Sequence, residues 1–173
     1  MTKDFLVQTR SLYAAIFDEA SPVNRSGFLT EMLADAGRMA REQGREDFER
    51  LFIFNDALMS LTRQGQLLPW TLLFDGVYRV AVEMGEVEPL AALADVGSPT
   101  TSVDLVCPSG RLVIACLSTL GEAHQPFIEV RPGVHRVMLE RDEEQEFHHM
   151  LLDTPAAYPA DEGPDWRVVV DSQ

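Results

Sequence analysis

The sequence predicts an α+β protein in which an N-terminal helical layer of about five helices packs on a C-terminal, mostly antiparallel sheet of about five to six strands. Apolar residues recur at helical spacing up to about residue 97, and beyond Gly97-Ser98-Pro99 they alternate with polar residues as in half-buried strands. A chain of 173 residues with 46% hydrophobic residues can bury a core without a disulfide or a metal. We therefore predict a single domain, 1–173, with a helical part, 1–97, and a sheet part, 98–173.

The helical part is divided by glycine and proline residues. Gly44 and Gly65 follow two amphipathic segments and are placed to adopt the left-handed conformation that ends many helices. Ser21-Pro22 supplies an earlier stop, and Pro69 and Pro89 suit first helical turns. The predicted helices cover residues 5–17, 24–43, 46–64, 69–84 and 88–95.

The sheet part begins with a strand in which Val103, Leu105 and Cys107 alternate with polar residues. The turn at 108–110 predicts a hairpin to residues 111–117, which are apolar on both faces and therefore predict a central strand. Further strands are predicted at 127–131, 135–140, 147–152 and 167–170. In this hairpin Cys116 would lie roughly 15 Å from Cys107, beyond the Cα separation of about 7 Å that a disulfide allows.

Two buried free thiols are typical of a reducing compartment. The first residues contain no apolar run of signal-peptide length, and no stretch of about 18 apolar residues predicts a membrane span. We therefore expect a cytoplasmic protein that does not bind membranes.

Negative charge is concentrated at the C-terminal end. The formal net charge is −14, and residues 140–173 hold ten acidic side chains and two arginines, so they carry −8 of it. Such a field repels nucleic acids and anionic membranes and attracts basic proteins. The distribution predicts a protein-binding role and argues against nucleic-acid binding.

No catalytic or cofactor-binding motif is present in the sequence. His148-His149, beside several acids, is the one cluster of metal-like residue types, but adjacent strand residues point to opposite faces and the H-E-x-x-H spacing is absent. We predict no enzyme activity, no metal and no cofactor. An enzyme of unrecognised type that uses His148 or His149 is the third hypothesis.

Three segments, P-S-G-R-L-V-I-A-C-L (108–117), P-G-V-H-R-V-M-L-E (132–140) and F-H-H-M-L-L-D-T-P (147–155), resemble the sheet of immunity proteins from bacterial polymorphic-toxin systems. Those proteins are small, cytosolic and often acidic, and each blocks one cognate toxin. The resemblance implies an inhibitor that covers the active site of a basic, nuclease-like toxin, with carboxylates where substrate phosphates would lie.

The predicted partner surface combines an acidic rim with an aromatic anchor. Either Trp166 or Tyr158 would be the anchor, because interface hot spots are enriched in these residue types, although Trp166 fits the end of the core equally well. Trp70 likewise fits either the core or an interface. The rim would consist of Glu143, Glu144, Glu146, Asp161, Glu162 and Asp165. The alternative is a non-catalytic adaptor or regulatory subunit that binds a protein partner through the helical half.

Overall fold

The computed structural model describes residues 2–10, 13–72, 75–87, 100–142, 144–146, 152, 158–159 and 162–171. Over these residues the chain forms nine strands, two long α-helices and a short helical segment at 144–146, with short 3₁₀ turns at Asp47–Glu49 and Leu117–Thr119. In chain order the elements are β1 (Thr2–Thr9), β2 (Tyr13–Asp18), α1 (Phe28–Glu42), α2 (Arg50–Arg63), β3 (Leu67–Thr71), β4 (Gly76–Gly85), β5 (Thr100–Cys107), β6 (Arg111–Cys116), β7 (Phe127–Glu129), β8 (Gly133–Arg141) and β9 (Trp166–Asp171).

The strands form two sheets that pack face to face. The five-stranded sheet has the order β1-β4-β9-β8-β5 and the four-stranded sheet the order β3-β2-β6-β7. All described strand pairs are antiparallel except β4 with β9. Inward side chains of both sheets make one apolar core, whose largest fully buried members include Trp70, Trp166, Tyr78, Ile16 and Leu105.

The two helices cover the other face of the four-stranded sheet. Phe54 and Leu58 of α2 pack in a second core with Phe17 of β2 and Val113 of β6. The layers are therefore sheet, sheet and helices, with the four-stranded sheet in the middle. This position explains why β2 and β6 are apolar on both faces, since neither face meets water. None of the helices in the described ranges has the length and apolar character needed to cross a membrane.

The predicted fold class is wrong in its helical half. Within the predicted helices 5–17 and 69–84, the described residues lie mainly in strands β1 to β4, so the first half contributes to both sheets. A short apolar run that is buried on both faces loses the alternation of a strand, and periodicity then cannot separate it from a helix. The predictions at 24–43 and 46–64 are confirmed by α1 and α2, and Gly44 and Gly65 adopt φ angles of 66° and 69°. The predicted helix at 88–95 lies outside the described residues.

The predicted strands of the second half are largely confirmed, but the predicted hairpin at 108–110 is wrong. Strands β5, β7, β8 and β9 lie where alternation placed them, and β6 is an interior strand as predicted. Yet β5 belongs to the five-stranded sheet and β6 to the other, so the turn carries the chain between sheets. Buried Asp18 holds this crossing by accepting hydrogen bonds from the Ser109 N–H (3.1 Å) and hydroxyl (2.6 Å).

Cys107 and Cys116 are buried and free. Apart from residue 152, the predicted strand at 147–152 lies outside the described residues.

Candidate partner-binding surface

The described acids of the C-terminal end differ in burial, and Glu140 and Asp171 are half-buried. Glu146 and Asp165 are fully buried, whereas Asp142, Glu144 and Glu162 are exposed. Buried carboxylates are costly unless they are paired and hydrogen-bonded, so the two buried acids must have partners inside the protein. The side chains of Asp142, Glu144 and Glu162 are in contact with solvent.

Glu146 is held by a buried ion pair. Arg141, at the end of β8, donates from Nε (2.8 Å) and Nη2 (2.7 Å) to the two carboxylate oxygens, and Trp166 Nε1 donates to Oε1 at 2.7 Å. The side chains of Arg141 and Glu146 are only 2% and 0% exposed. The bidentate geometry satisfies both oxygens, which is the condition under which such a pair survives burial. The short helical segment 144–146 is therefore fastened to β8 and β9.

Trp166 connects this ion pair to the hydrophobic core. Its ring stacks on Tyr78 at a centroid distance of 4.7 Å and meets Trp70 edge-on at 4.9 Å. Aromatic pairs in these arrangements add to the stabilisation that comes from burial alone. The Glu146 carboxylate thus caps a cluster of three buried aromatic side chains that joins both sheets.

Asp165 fastens the second segment. Its carboxylate accepts the Arg79 N–H of β4 at 2.6 Å and the Tyr158 hydroxyl at 2.8 Å. Its main chain accepts the Asp142 N–H at 2.8 Å, which brings the two acidic segments side by side. Burial, and secondarily the neighbouring Asp165 carboxylate, raises the pKa of Tyr158 above its ordinary value of 10.0, so the hydroxyl keeps its proton.

Arg79 links the acidic segment to the edge strand β1. Its guanidinium donates to the Glu162 carbonyl oxygen at 2.8 Å and to the Asp4 carboxylate at 3.1 Å. A cleft of about 270 Å³ lies at this point, and Tyr158 forms part of its wall. Its lining consists of Asp4, Phe5, Leu6, Arg79, Tyr158 and Pro159.

The structure separates the residues that the sequence grouped as one surface. Glu144 and Glu162 are exposed and Tyr158 is half-buried, beside the cleft. Glu146, Asp165 and Trp166 are buried, where they bond to the protein's own groups, so in this conformation they support the surface rather than contact a partner. Trp70 is also fully buried in the core. Glu143 and Asp161 lie outside the described residues.

Sequence reasoning missed Arg79 and Arg141. Arg141 is the one basic residue in the acidic run 140–146, directly after an alternating strand. A single arginine among several acids could have been used to predict an internal ion pair. Arg79 has no such signal, because its partner Asp165 lies 86 residues away.

Within the ranges that the structure describes, no three His, Cys, Asp or Glu side chains are grouped closely enough to hold a metal ion. The predicted His148-His149 cluster is outside those ranges.

Comparison with known proteins gives two structural matches. No protein-family model matches the chain, and no curated protein matches it. The Bacillus subtilis protein ComJ, described as an inhibitor of the DNA degrading activity of NucA, has a TM-score of 0.49 and 9% identity over 99% of this chain and 96% of its own, too weak a likeness to support an inference. A solved structure described as "Crocagin biosynthetic gene J" has a TM-score of 0.69 and 21% identity over 100% of this chain and 97% of its own. The chain therefore shares its fold with that protein.

Proposed function

We propose that this protein is a non-enzymatic, cytoplasmic inhibitor that binds and blocks a basic bacterial toxin of the nuclease type. The contact is made by an acidic surface, which we define as Asp142, Glu144 and Glu162 together with the flanking Glu143 and Asp161. These carboxylates cover the toxin's active site and take the positions of substrate phosphates. Tyr158, beside the cleft, supplies the aromatic contact.

The observation that carries this proposal is the internal fixation of the acidic segments. Glu146 and Asp165 hold those segments with hydrogen bonds of 2.6 to 2.8 Å to groups on β4, β8, β9 and Tyr158. The backbone at the described residues Asp142, Glu144 and Glu162 is held in this way, so it loses little conformational entropy on binding. The negative charge of the acidic surface accelerates encounter with a basic partner and sets specificity. The resemblance to immunity proteins supports the same function.

The test is capture of the partner by the full-length protein, tagged at its C-terminus, from native lysate with parallel low-salt and high-salt washes. The variant Asp142→Asn/Glu144→Gln/Glu162→Gln removes three exposed charges from the acidic surface. The matched control, Asp56→Asn/Asp75→Asn/Glu86→Gln, removes three exposed charges elsewhere. Both variants therefore have the same net charge.

We expect one basic protein whose retention falls with salt, and whose affinity drops roughly tenfold or more for the first variant and less than about twofold for the control. Addition of the protein should also suppress the activity of the captured partner. If both variants lose the same affinity for the partner, the loss is due to net charge and not to the acidic surface. A partner that stays active when bound would contradict inhibition.

A second candidate function is that of an adaptor that binds through the helical layer. Phe48, in the 3₁₀ turn before α2, and Leu51 and Phe52, in its first turn, are 62%, 46% and 61% exposed. Contiguous exposed apolar side chains often mark protein interfaces. If this function is correct, the captured partner should still bind after the acidic surface is neutralised but should be lost from the variant Phe48→Ser/Phe52→Ser. The same capture experiment therefore distinguishes the adaptor from the inhibitor.

A further inference from the structure

Exposed apolar side chains are concentrated where α1 is joined to α2. Of the eight large apolar side chains that are exposed in the described part of the chain, four lie between residues 39 and 52. They are Met39, Phe48, Leu51 and Phe52, each at least 40% exposed. Single exposed apolar residues need no explanation, but a group of them marks an interaction surface. We call residues 38–52 the helical corner.

The core of the helical layer does not use these side chains. Ile53 and Phe54, the next residues of α2, are 9% and 0% exposed and pack in the core against the four-stranded sheet. The first turn of α2 is therefore apolar on its outer side as well as on its inner side. A helix that is apolar all round is normally covered on all sides, so the outer side of this turn is suited to a second contact.

The helical corner is ordered by its own hydrogen bonds. The Arg45 N–H donates to the Ala40 carbonyl oxygen at 2.9 Å, and Gly44 has a φ of 66°. The Glu46 N–H donates to the Glu49 carboxylate at 2.8 Å, and the Glu49 N–H donates to the Glu46 carbonyl oxygen at 2.9 Å. The backbone is thus fixed before any contact is made, which keeps the entropic cost of association low.

The charge of the helical corner is balanced, although the protein as a whole is strongly acidic. Residues 38–52 contain four arginines and four acids, so their formal charge is 4 − 4 = 0, against −14 for the whole chain. A strongly acidic or strongly basic partner is attracted by a surface of the opposite sign, which this one does not offer. Two copies of the chain repel each other through their net charge, and this repulsion is smallest where the local charge is zero.

A surface with both signs of charge can also contact itself. In a two-fold dimer residue i of one protomer meets residue j of its partner, and j meets i, so a surface of one sign would repel itself. Within the described part of the chain, Arg45, Arg50 and Glu46 form no ion pair. These side chains can therefore pair with opposite charges across a two-fold axis.

The composition and size of the helical corner fit the centre of an interface. Aromatic residues, methionine and arginine are enriched in protein interfaces, and the helical corner holds all three. A fully covered phenylalanine buries about 150–250 Å², so Phe48 and Phe52, at 62% and 61% exposure, together offer roughly 200–300 Å². A standard interface buries about 800 Å² per partner, with an apolar centre and a polar rim. The four apolar side chains would form that centre and the charged residues the rim.

We propose that the helical corner is the interface of a two-fold homodimer, in which each copy covers the apolar side chains of the other. The helices cover the four-stranded sheet, whereas the acidic segments are attached to β4, β8 and β9 of the other sheet. The dimer therefore leaves both acidic surfaces free. This inference does not rest on the proposed inhibitor function.

The first test is sedimentation velocity of the purified full-length protein from about 1 to about 200 µM, a range that brackets the micromolar Kd expected of a small interface. The mass should rise with concentration from that of the 19.3 kDa monomer towards twice that value. Phe48→Ser/Phe52→Ser should raise the dimer Kd roughly tenfold or more. The matched control, Val106→Ser/Val134→Ser, removes two exposed apolar side chains from the five-stranded sheet and should change the Kd less than about twofold.

The second test exchanges charges and does not depend on any single variant's folding. Arg45→Glu/Arg50→Glu gives the helical corner a formal charge of 2 − 6 = −4, and Glu42→Lys/Glu46→Lys gives it 6 − 2 = +4. Each variant alone should dimerise roughly tenfold or more weakly, because its surface now repels its own copy. An equimolar mixture of the two should form a heterodimer with a Kd near that of the wild type.

A wild type that stays monomeric over the whole concentration range would overturn the proposal and leave the helical corner to another partner, as in the adaptor function. Equal Kd values for the phenylalanine variant and its control, or a mixture that associates no better than its components, would overturn it as well. Asp142→Asn/Glu144→Gln/Glu162→Gln should dimerise at least as well as the wild type. Loss of the dimer in that variant would indicate a head-to-tail contact with the acidic surface and contradict the two-fold interface.

Discussion

Glu146→Gln should destabilise the protein severely, although the two side chains have nearly the same shape. Glutamine keeps one acceptor for Trp166 Nε1 but removes the charge that neutralises Arg141, whose side chain is 2% exposed. Breaking one partner of a buried ion pair costs about 3–5 kcal/mol, because the remaining charge stays desolvated. For a chain of this length each kcal/mol lowers Tm by about 2–4 °C, so we expect a fall of about 6–20 °C.

The assay is urea and thermal unfolding followed by tryptophan fluorescence and by circular dichroism. Glu144→Gln is the control, since it makes the same chemical change two residues away on an exposed side chain and should leave stability nearly unchanged. The double variant Arg141→Met/Glu146→Leu removes both charges and should regain part of the lost stability, since it still leaves the buried Trp166 Nε1 without an acceptor. Equal Tm values for Glu146→Gln and Glu144→Gln, or a double variant as unstable as Glu146→Gln, would refute the role assigned to this pair.

Two further predictions concern Cys107 and the glycines. Burial, and secondarily the nearby Asp18 carboxylate, raises the pKa of the Cys107 thiol from 9.0 to about 12. The unfolded state therefore releases this proton first as pH rises, so the stability contributed by the buried thiol is complete below about pH 9 and is lost between about pH 9 and 12. Urea unfolding across this pH window should show that the free energy of unfolding falls more steeply for the wild type than for Cys107→Ala. Parallel falls in the two proteins would contradict the raised pKa. Gly121→Ala should be clearly less stable than Gly44→Ala in thermal unfolding. Both glycines have positive φ, but an added Cβ at Gly121 would clash with the backbone nitrogen of Ser26, whereas nothing lies within 4 Å of one at Gly44. Equal Tm losses would show that the close approach is relieved without cost.

Several of the elements that could be predicted from the sequence have one wet face and one dry face, although β6, which is buried on both faces, was also predicted correctly. α1 lies on the outside of the molecule, so its apolar residues repeat with the helical period, and Gly44 marks its end. β8 shows the corresponding strand pattern, with His135, Val137 and Leu139 buried and their neighbours partly exposed. In both cases the periodicity records which side faces water.

Two of the mispredicted elements, β2 and β4, have little contact with water on either side, whereas β1, which was also mispredicted, is a largely exposed edge strand. β2 lies in the middle layer, between the other sheet and the helices, and Ala14 to Phe17 are all fully buried. β4 is buried over most of its length, so its side chains show no alternation either. An apolar run in such a place carries no record of its period, and the number of layers cannot be inferred from it.

The sequence by itself determined the negative charge, its concentration at the C-terminal end, the absence of recognised catalytic motifs and the two amphipathic helices. Only the tertiary structure decided which acids belong to the surface. Glu146 and Asp165 resemble their neighbours in the sequence, but folding brings Arg141, Trp166 and Arg79 within hydrogen-bonding distance of them. A carboxylate can leave water only when such partners replace its hydration, and whether those partners are present depends on contacts between distant parts of the chain.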